Sequence, residues 1–566
     1  MHANTLNIVI GGEAGQGLVT IGQLLAETLA ASGYYIVVTQ SYQSRVRGGH
    51  NTFTIRCSHE PLNAPTEPID LLVALNAETI DLHRRELSER ATVVTYAAIG
   101  VDGIPALRAP FGEFTTARYE NVAALGVVAC LLGLEQVAPR ELLEHKFGKK
   151  GAAVLGENLK ALENSYAWAS RELAAKTELA RRLKLPPTSR QARRMILTAN
   201  EAIALGALSA GVKFCAFYPM TPATSIAIAL NEHSQQMGVV VEQAEDEIAA
   251  INMALGASFV GAPSMVTTSG GGFALMTEGV SLAGMTETPV VIVVAQRPGP
   301  ATGLPTRTEQ ADLEMILYAG HGEFPRAIFA PGGVEDAFHL TRKAFELAER
   351  YQGPVFVLSD QFMADSHRAV PPFAVEELDP IKVGTDPADA ASPYRRYALT
   401  PDGVSPRLLP GASNHLVIAD SDEHDQEGHI TEDLSIRVEM VNKRMKKLDG
   451  LKREVIAPSY QGDTSPDLLL ISWGSTQGSV LEAAARLRSN GRTVATLHFA
   501  QVWPLATEQF IDHLRGARQV VSIESNFTGQ FARLILRETG FMITRQVLRY
   551  DGLPITPDYI LRELNA

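Results

Sequence analysis

Between residues 195 and 365 the chain repeats one pattern. Short apolar runs at 214–217, 239–242, 264–268, 289–295, 326–330 and 354–359 are separated by stretches with helical spacing at 199–210, 225–236, 248–260, 273–286 and 334–350. Runs this short, apolar throughout and bounded by glycine, proline and polar turns, read as strands buried on both faces. With helices between them they predict a parallel, doubly wound sheet. Residues 1–185 carry a looser version, with strands at 6–10, 35–39, 52–56, 71–75 and 92–95 and helices at 18–31 and 122–132, and form an expected α/β domain. The segment 171–194, rich in Lys, Arg, Glu and Ala and containing Pro186-Pro187, reads as a solvated helix running into a linker. Residues 366–460 lose the rhythm and predict a long crossing segment, whose length favours a functional or subunit-contacting role. The pattern resumes at 467–472, 478–488, 492–498, 519–524 and 531–539, within a smaller α/β domain at 461–566. The expected fold class is therefore α/β in three domains.

Composition narrows the partners. A chain of 566 residues exceeds what one core supports, which agrees with several domains. A net charge of −13 argues against a nucleic-acid or anionic-membrane surface, while leaving room for local basic pockets. No apolar run approaches the ~20 residues that span a bilayer, and Met1-His-Ala-Asn-Thr has no basic region of the signal-peptide kind. The expected location is the cytoplasm. Three cysteines, Cys57, Cys130 and Cys215, read as buried thiols in a reducing compartment and are too few to ligate an iron–sulfur cluster alone.

Two segments carry the chemistry. Tyr218-Pro-Met-Thr-Pro222 ends the strand 214–217 in a turn stiffened by two prolines, which fixes the direction of the Thr221 hydroxyl. Gln243-Ala-Glu245-Asp-Glu-Ile-Ala-Ala ends the next apolar run and places Glu245 just before a helix. Carboxylates at the carboxyl ends of neighbouring strands meet where open α/β sheets bind ligands. The other reading of Glu245, Asp246 and Glu247 is a helix N-terminus favoured by the dipole, and it is preferred for Asp246 and Glu247. Arg297 leaves a strand into Pro298-Gly-Pro300, a stiff setting suited to bidentate grip of a carboxylate. Gly12-Glu-Ala-Gly15-Gln-Gly17 lies between a strand and a helix, where backbone N–H groups can approach a phosphate; a tight turn needed for packing is the alternative. Ser269-Gly-Gly-Gly-Phe273 opens another helix and is expected to shape a crevice. Asp422-Glu-His-Asp-Gln-Glu-Gly-His429 has metal-site composition but no zinc or calcium spacing, and reads as a solvated, hydrogen-bonded loop.

With the Tyr-Pro-x-Thr-Pro turn, Glu245-Asp-Glu-Ile-Ala and Gln296-Arg-Pro-Gly-Pro-Ala-Thr-Gly-Leu-Pro-Thr-Arg-Thr-Glu-Gln310, the chain resembles the 2-oxoacid:ferredoxin oxidoreductases from about Asn7 to its C-terminus. The likeness is to the α subunit with a fused γ domain, of the 2-oxoglutarate type. It departs mildly at Met220, Ala223 and Gly271, where the family usually has Ile, Ser or Thr, and Pro. The resemblance implies a γ-type domain at 1–185, a thiamine-pyrimidine-binding domain at 195–365 and a transketolase-C-like domain at 461–566. It places the thiamine-activating glutamate on Glu245, with Tyr218 and Pro219 on the thiamine side. Thr221, Arg297, Thr306 and Arg307 are assigned to the 2-oxoacid, and Gly15, Gln16, Gly17, Ser44 and Arg45 to coenzyme A. No Gly-Asp-Gly run followed by asparagine occurs, so the chain looks like half of an active site. A β subunit would bring the diphosphate and Mg2+ site of thiamine diphosphate and a [4Fe-4S] cluster, in an (αβ)2 heterotetramer.

The implied reaction is CoA-dependent oxidative decarboxylation of 2-oxoglutarate to succinyl-CoA and CO2 with electrons passed to ferredoxin, or its reductive reverse. The same chemistry on pyruvate, a branched-chain 2-oxoacid or indolepyruvate is the nearest rival; a second carboxylate needs a second cationic anchor, from Arg307, His321 or the β subunit. A catalytically silent nucleotide- or CoA-binding module is the alternative from another class.

Overall fold

Val290–Gln296 is buried at all seven positions because strands pair with it on both sides and helices cover both faces. The computed structural model describes residues 5–42, 49–188 and 194–565. These divide into two compact units, one of residues up to 197 with 365–372 and 556–558, the other of the remainder.

In the second unit the central sheet runs in the order Gln501–Trp503, Ala327–Phe329, Pro354–Asp360, Val290–Gln296, Ser264–Thr268, Phe214–Phe217, Val240–Gln243. All pair in parallel except the first, which is antiparallel to Ala327–Phe329. A further sheet holds Val494–Phe499, Leu468–Trp473, Gln519–Glu524 and Arg545–Leu548 in parallel, with Ser459–Gln461 antiparallel at its edge. One core joins the two sheets, running from Val266, Phe273 and Ile292 to Ile471, Leu497 and Phe531. The chain is α/β, as its pattern predicts.

The first unit holds an eight-stranded sheet. Thr5–Glu13, Ile69–Ala74, Leu87–Tyr96 and Ala106–Ala109 are parallel, whereas His50–Ser58, Tyr35–Ser41, Arg368–Val370 and Met195–Leu197 continue it antiparallel. The predicted solvated helix at 171–194 is instead the end of helix Ala152–Ala175 followed by Thr177–Arg182, and Leu173, Leu179 and Leu183 are buried in this unit's core. No helix among the described residues is long and apolar enough to cross a membrane.

The crossing segment is less irregular than its sequence implies. It contains the 20-residue helix Leu434–Arg453, whose buried positions include Lys443, Arg444 and Lys447. These cations sit at the carboxyl ends of two other helices, where the dipole favours positive charge. Lys443 Nζ donates to both carboxylate oxygens of Glu287, at 2.7 and 2.8 Å, and Lys447 pairs with the same carboxylate and with the Gln352 carbonyl. Arg396 donates to the Glu287 carbonyl at 2.8 Å and to Gln352 Oε1 at 2.9 Å. Glu287 and Gln352, both at left-handed φ, follow helices Gly270–Met285 and Val334–Tyr351. Burial alone would raise the Glu287 carboxyl, but Lys447, Lys443 and Arg396 hold it well below the usual carboxylate range.

Candidate functional site

From Phe214–Phe217 the chain crosses to the edge strand Val240–Gln243 on one side, then returns to Ser264–Thr268 on the other. The strand order therefore reverses at Phe214–Phe217, and a ligand crevice belongs outside the carboxyl ends of these strands.

The crevice is built around a run of glycine. Asp246 caps helix Glu247–Phe259 by accepting from the Ala249 N–H at 2.7 Å. The next residue, Glu247, is only 4% exposed, and its Oε1 is buried without a hydrogen-bond partner. It lies against Gly272, where an added Cβ would stand 2.6 Å from Glu247 Oε1 and 2.3 Å from Thr268 Oγ1. At Gly270 a Cβ would stand 2.4 Å from Asp312 Oδ2, which is also buried and unpartnered. Between them, Gly271 faces the Ala301 carbonyl with room to spare, its Cβ position 3.7 Å away. Two carboxylates are thus seated on the first turn of helix Gly270–Met285, at its positive end, and side chains there would expel them. The Ser269 and Thr267 hydroxyls beside them are likewise buried without partners. Buried polar groups left unmatched cost stability, so unmatched oxygens gathered at one helix start make this the candidate site.

Arg297 leaves the next strand, and its Nη1 donates to the Thr221 carbonyl at 2.6 Å. The structure therefore brings these two predicted substrate residues together. Thr221, Tyr218 and Pro219 are exposed at the crevice mouth. Burial lowers the Arg297 guanidinium below its ordinary value, while Asp312 opposes the shift. Burial pushes the Asp312 carboxyl up to about 6 against the pull of Arg297. Glu309 rises to about 7, through burial and then through the charge of Asp312. Thr306 and Arg307 are half-buried on the loop that follows Arg297. Gln310 anchors the far end of that loop to the neighbouring sheet: Nε2 donates to the Trp473 carbonyl at 2.9 Å, and Oε1 accepts from Ser525 N–H at 3.0 Å. Asp360, also pushed up to about 6 by burial despite hydrogen bonds from Ser475 and the Met363 N–H, closes the floor between the two sheets.

Glu245 is exposed, two residues before the buried acid. Sequence reasoning chose Glu245 and left Glu247 to the helix dipole. The signal that separates them is helical register. Glu247 shares one face with Ala250, Ile251, Ala254, Leu255 and Ser258, all buried, so its side chain turns inward with the core.

In the first unit, Gly15 and Gly17 take left-handed conformations, and a Cβ at Gly17 would strike Asn121. The Gln16 amide oxygen closes the turn by accepting from the Glu13 N–H at 2.7 Å. Ser44 and Arg45 lie outside the described residues. The 422–429 loop is hydrogen-bonded, as expected, through Asp425 Oδ1 accepting from three successive N–H groups. It is not solvated throughout. His424 is fully buried against the Tyr397 ring, and Glu423 pairs with Arg437 and Arg444. Among the described residues no group of three or more His, Cys, Asp or Glu is arranged to hold a metal ion.

Chemically, an unpartnered carboxylate in a dry crevice can hydrogen-bond a ring nitrogen, and a nearby guanidinium can hold a carboxylate. Residues 205–443 match the family model "Pyruvate flavodoxin/ferredoxin oxidoreductase, thiamine diP-bdg", and residues 7–168 match "Pyruvate ferredoxin/flavodoxin oxidoreductase". The chain is 29% identical to the 2-oxoglutarate oxidoreductase subunit KorA of Mycobacterium tuberculosis, over 99% of its length and 91% of that subunit's. Its fold matches the solved 2-oxoglutarate:ferredoxin oxidoreductase from Magnetococcus marinus, which has 2-oxoglutarate, coenzyme A and succinyl-CoA bound, with a TM-score of 0.93, 32% identity and 99% coverage of both chains. With the 2-oxoacid:ferredoxin oxidoreductase subunit alpha of Sulfolobus it shares 32% identity over 98% of its length and 95% of that subunit's. The chain belongs to the family of 2-oxoacid:ferredoxin oxidoreductase α subunits.

Proposed function

We propose that the chain is the α subunit of an enzyme that oxidatively decarboxylates 2-oxoglutarate with coenzyme A, giving succinyl-CoA, CO2 and electrons for ferredoxin, or runs the reverse. The observation that carries this reading is the buried Glu247 oxygen without a partner, beside a glycine run and near the Arg297–Thr221 pair. The choice of acid is supported by the Mycobacterium tuberculosis relative, a 2-oxoglutarate oxidoreductase subunit, and by the Magnetococcus marinus enzyme, which has 2-oxoglutarate bound.

The crevice fits the pyrimidine of thiamine diphosphate, since it offers one unmatched carboxylate oxygen in a dry seat and lacks side chains on the glycine face. Glu247, rather than the exposed Glu245, would hold and share the proton on the ring nitrogen. When bound, thiamine diphosphate supplies the carbanion that attacks a 2-oxoacid. Arg297, fixed by the Thr221 carbonyl, grips the substrate's first carboxylate. Thr221, Thr306 and Arg307 line the same pocket, while Tyr218 and Pro219 border the thiamine side. Gly15, Gln16 and Gly17 are assigned to coenzyme A.

A β subunit completes the enzyme with the diphosphate and Mg2+ site and the [4Fe-4S] cluster, in an (αβ)2 complex that reduces ferredoxin. In support, the elements that carry the crevice expose Ile228, Val240, Ile248, Met253 and Leu275, side chains that a partner subunit would cover. Co-expression with a β subunit of the same family, followed by CoA-dependent viologen reduction with 2-oxoglutarate, pyruvate and 2-oxoisovalerate, tests the reading. Fastest turnover with 2-oxoglutarate is expected. Preference for another acid would replace the substrate, and no turnover with any acid in a thiamine- and cluster-loaded complex would defeat the proposal.

A further inference from the structure

The pocket around Arg297 holds one acid more than substrate binding needs. Asp312 stands at the start of a short helix, its N–H donating to Gln296 Oε1 at 3.0 Å, so its backbone is tied to the strand that delivers Arg297. Its carboxylate is pressed onto Gly270, with Oδ2 buried and unpartnered. The charged groups around it are few. Arg297, at the strand end, lowers its carboxyl, and Glu309, on the loop, is raised by its charge. Glu247 stands two glycines along the helix start, and that first turn carries no charged side chain.

We propose that Asp312 makes capture of the 2-oxoacid proton-linked: it is charged opposite Arg297 while the pocket is empty, and takes one proton from solvent when the substrate's carboxylate arrives at the guanidinium. This rests on the reading of Arg297 as the carboxylate grip. Two carboxylates beside one half-buried cation cannot both stay ionised at low cost, and Asp312, seated on Gly270 with its Oδ2 buried and unpartnered, is the one that yields. Burial has brought Asp312 to about 6 before any ligand binds, so a second negative charge carries it through the neutral range. When that carboxylate leaves as CO2, the repulsion ends and Asp312 returns its proton to solvent. Asp312 is thus a positioning residue that acts through Arg297 and sets how binding responds to pH.

The sign follows from linkage. Binding that takes up a proton weakens as pH rises above the free value near 6, by up to about tenfold per unit until the bound value is passed. The test uses the assembled, cofactor-loaded complex. kcat/KM for 2-oxoglutarate is measured from pH 6 to 8 for the wild type, Asp312→Asn, Gly270→Ala and Arg297→Gln. Calorimetric titration with glutarate, which has no carbonyl to react, is run at pH 7 in two buffers of different protonation enthalpy. The wild type should lose about tenfold in kcat/KM relative to Asp312→Asn across this range, and take up roughly half to one proton per glutarate. Asp312→Asn should take up clearly less, Glu309 being the acid left to respond. Gly270→Ala, whose Cβ displaces the carboxylate, should blunt both responses. Identical pH slopes in the wild type and Asp312→Asn, or no proton uptake by the wild type, would overturn the proposal; the wild-type measurement decides even if the variant fails to assemble. Unchanged KM in Arg297→Gln would instead defeat the reading of Arg297.

Discussion

At the start of helix Gly270–Met285, Glu247 and Asp312 lie against glycine, each with a buried oxygen that nothing among the described residues satisfies. At its far end, about 24 Å away by helical rise, the Glu287 carboxylate is just as buried but is met by Lys443 and Lys447, with Arg396 on its carbonyl. Both ends obey the helix dipole, anions at the start and cations at the finish. They differ in completeness. A closed set of charges pins the crossing segment to the central sheet, whereas an open set is a place kept for something to bind. Burial is common to both ends; what differs is that one carboxylate is matched by cations and the other two keep an unmatched oxygen.

Glu247→Gln should break the open end. Turnover of the assembled enzyme should fall by about two to four decades, with thermal unfolding unmoved, and Gly272→Ala should act likewise by pushing the carboxylate away. At the closed end, Glu287→Ala strands two buried lysines and should cost about 3–5 kcal/mol in denaturant unfolding, leaving KM of the folded enzyme alone. Because Glu287 is held below its ordinary value near 4.5, its contribution is present above that pH and is lost as pH falls further. The wild type should therefore lose stability in acid more steeply than Glu287→Ala. Asp360 gives the opposite slope. Its carboxyl is raised to about 6, so the wild type should lose on the order of 2 kcal/mol relative to Asp360→Asn as pH climbs from 4 to 7. Arg297→Lys, which cannot both meet the Thr221 carbonyl and fork a carboxylate, should raise KM for the 2-oxoacid about tenfold. The smallest effect is expected at Glu245→Gln, within about threefold in turnover; a loss there matching that of Glu247→Gln would erase the distinction drawn above.

Much of the fold is legible because its strands are continuous apolar runs. Val290–Gln296 and Ser264–Thr268 fall within a residue of their predicted bounds, since only burial on both faces explains such sequences. Strand direction is not written in a single strand, so the antiparallel half of the first unit's sheet could not be read. Helix Leu434–Arg453 stayed hidden for another reason. It buries lysine and arginine, so its inward face looks polar until its distant partners Glu287 and Glu423 are in place. In the crevice, Thr221 and Arg297 were legible from stiff turns at strand ends, and they meet. Glu245 and Glu247 flank the same cap; the register of the helix that follows buries Glu247 and leaves Glu245 exposed, a difference that a dipole-favoured run of acids does not announce.

The glycine run has a practical consequence for anyone redesigning this subunit. Alanine is the better helix former by nearly 1 kcal/mol, but only Gly271 has room for it; at Gly270 and Gly272 an added Cβ would stand 2.4 and 2.3 Å from a buried oxygen and cost more than it returns. The crevice owes its shape to atoms that are missing there, and a redesign guided by helix propensity alone would fill the hollow and strain the fold in the same stroke.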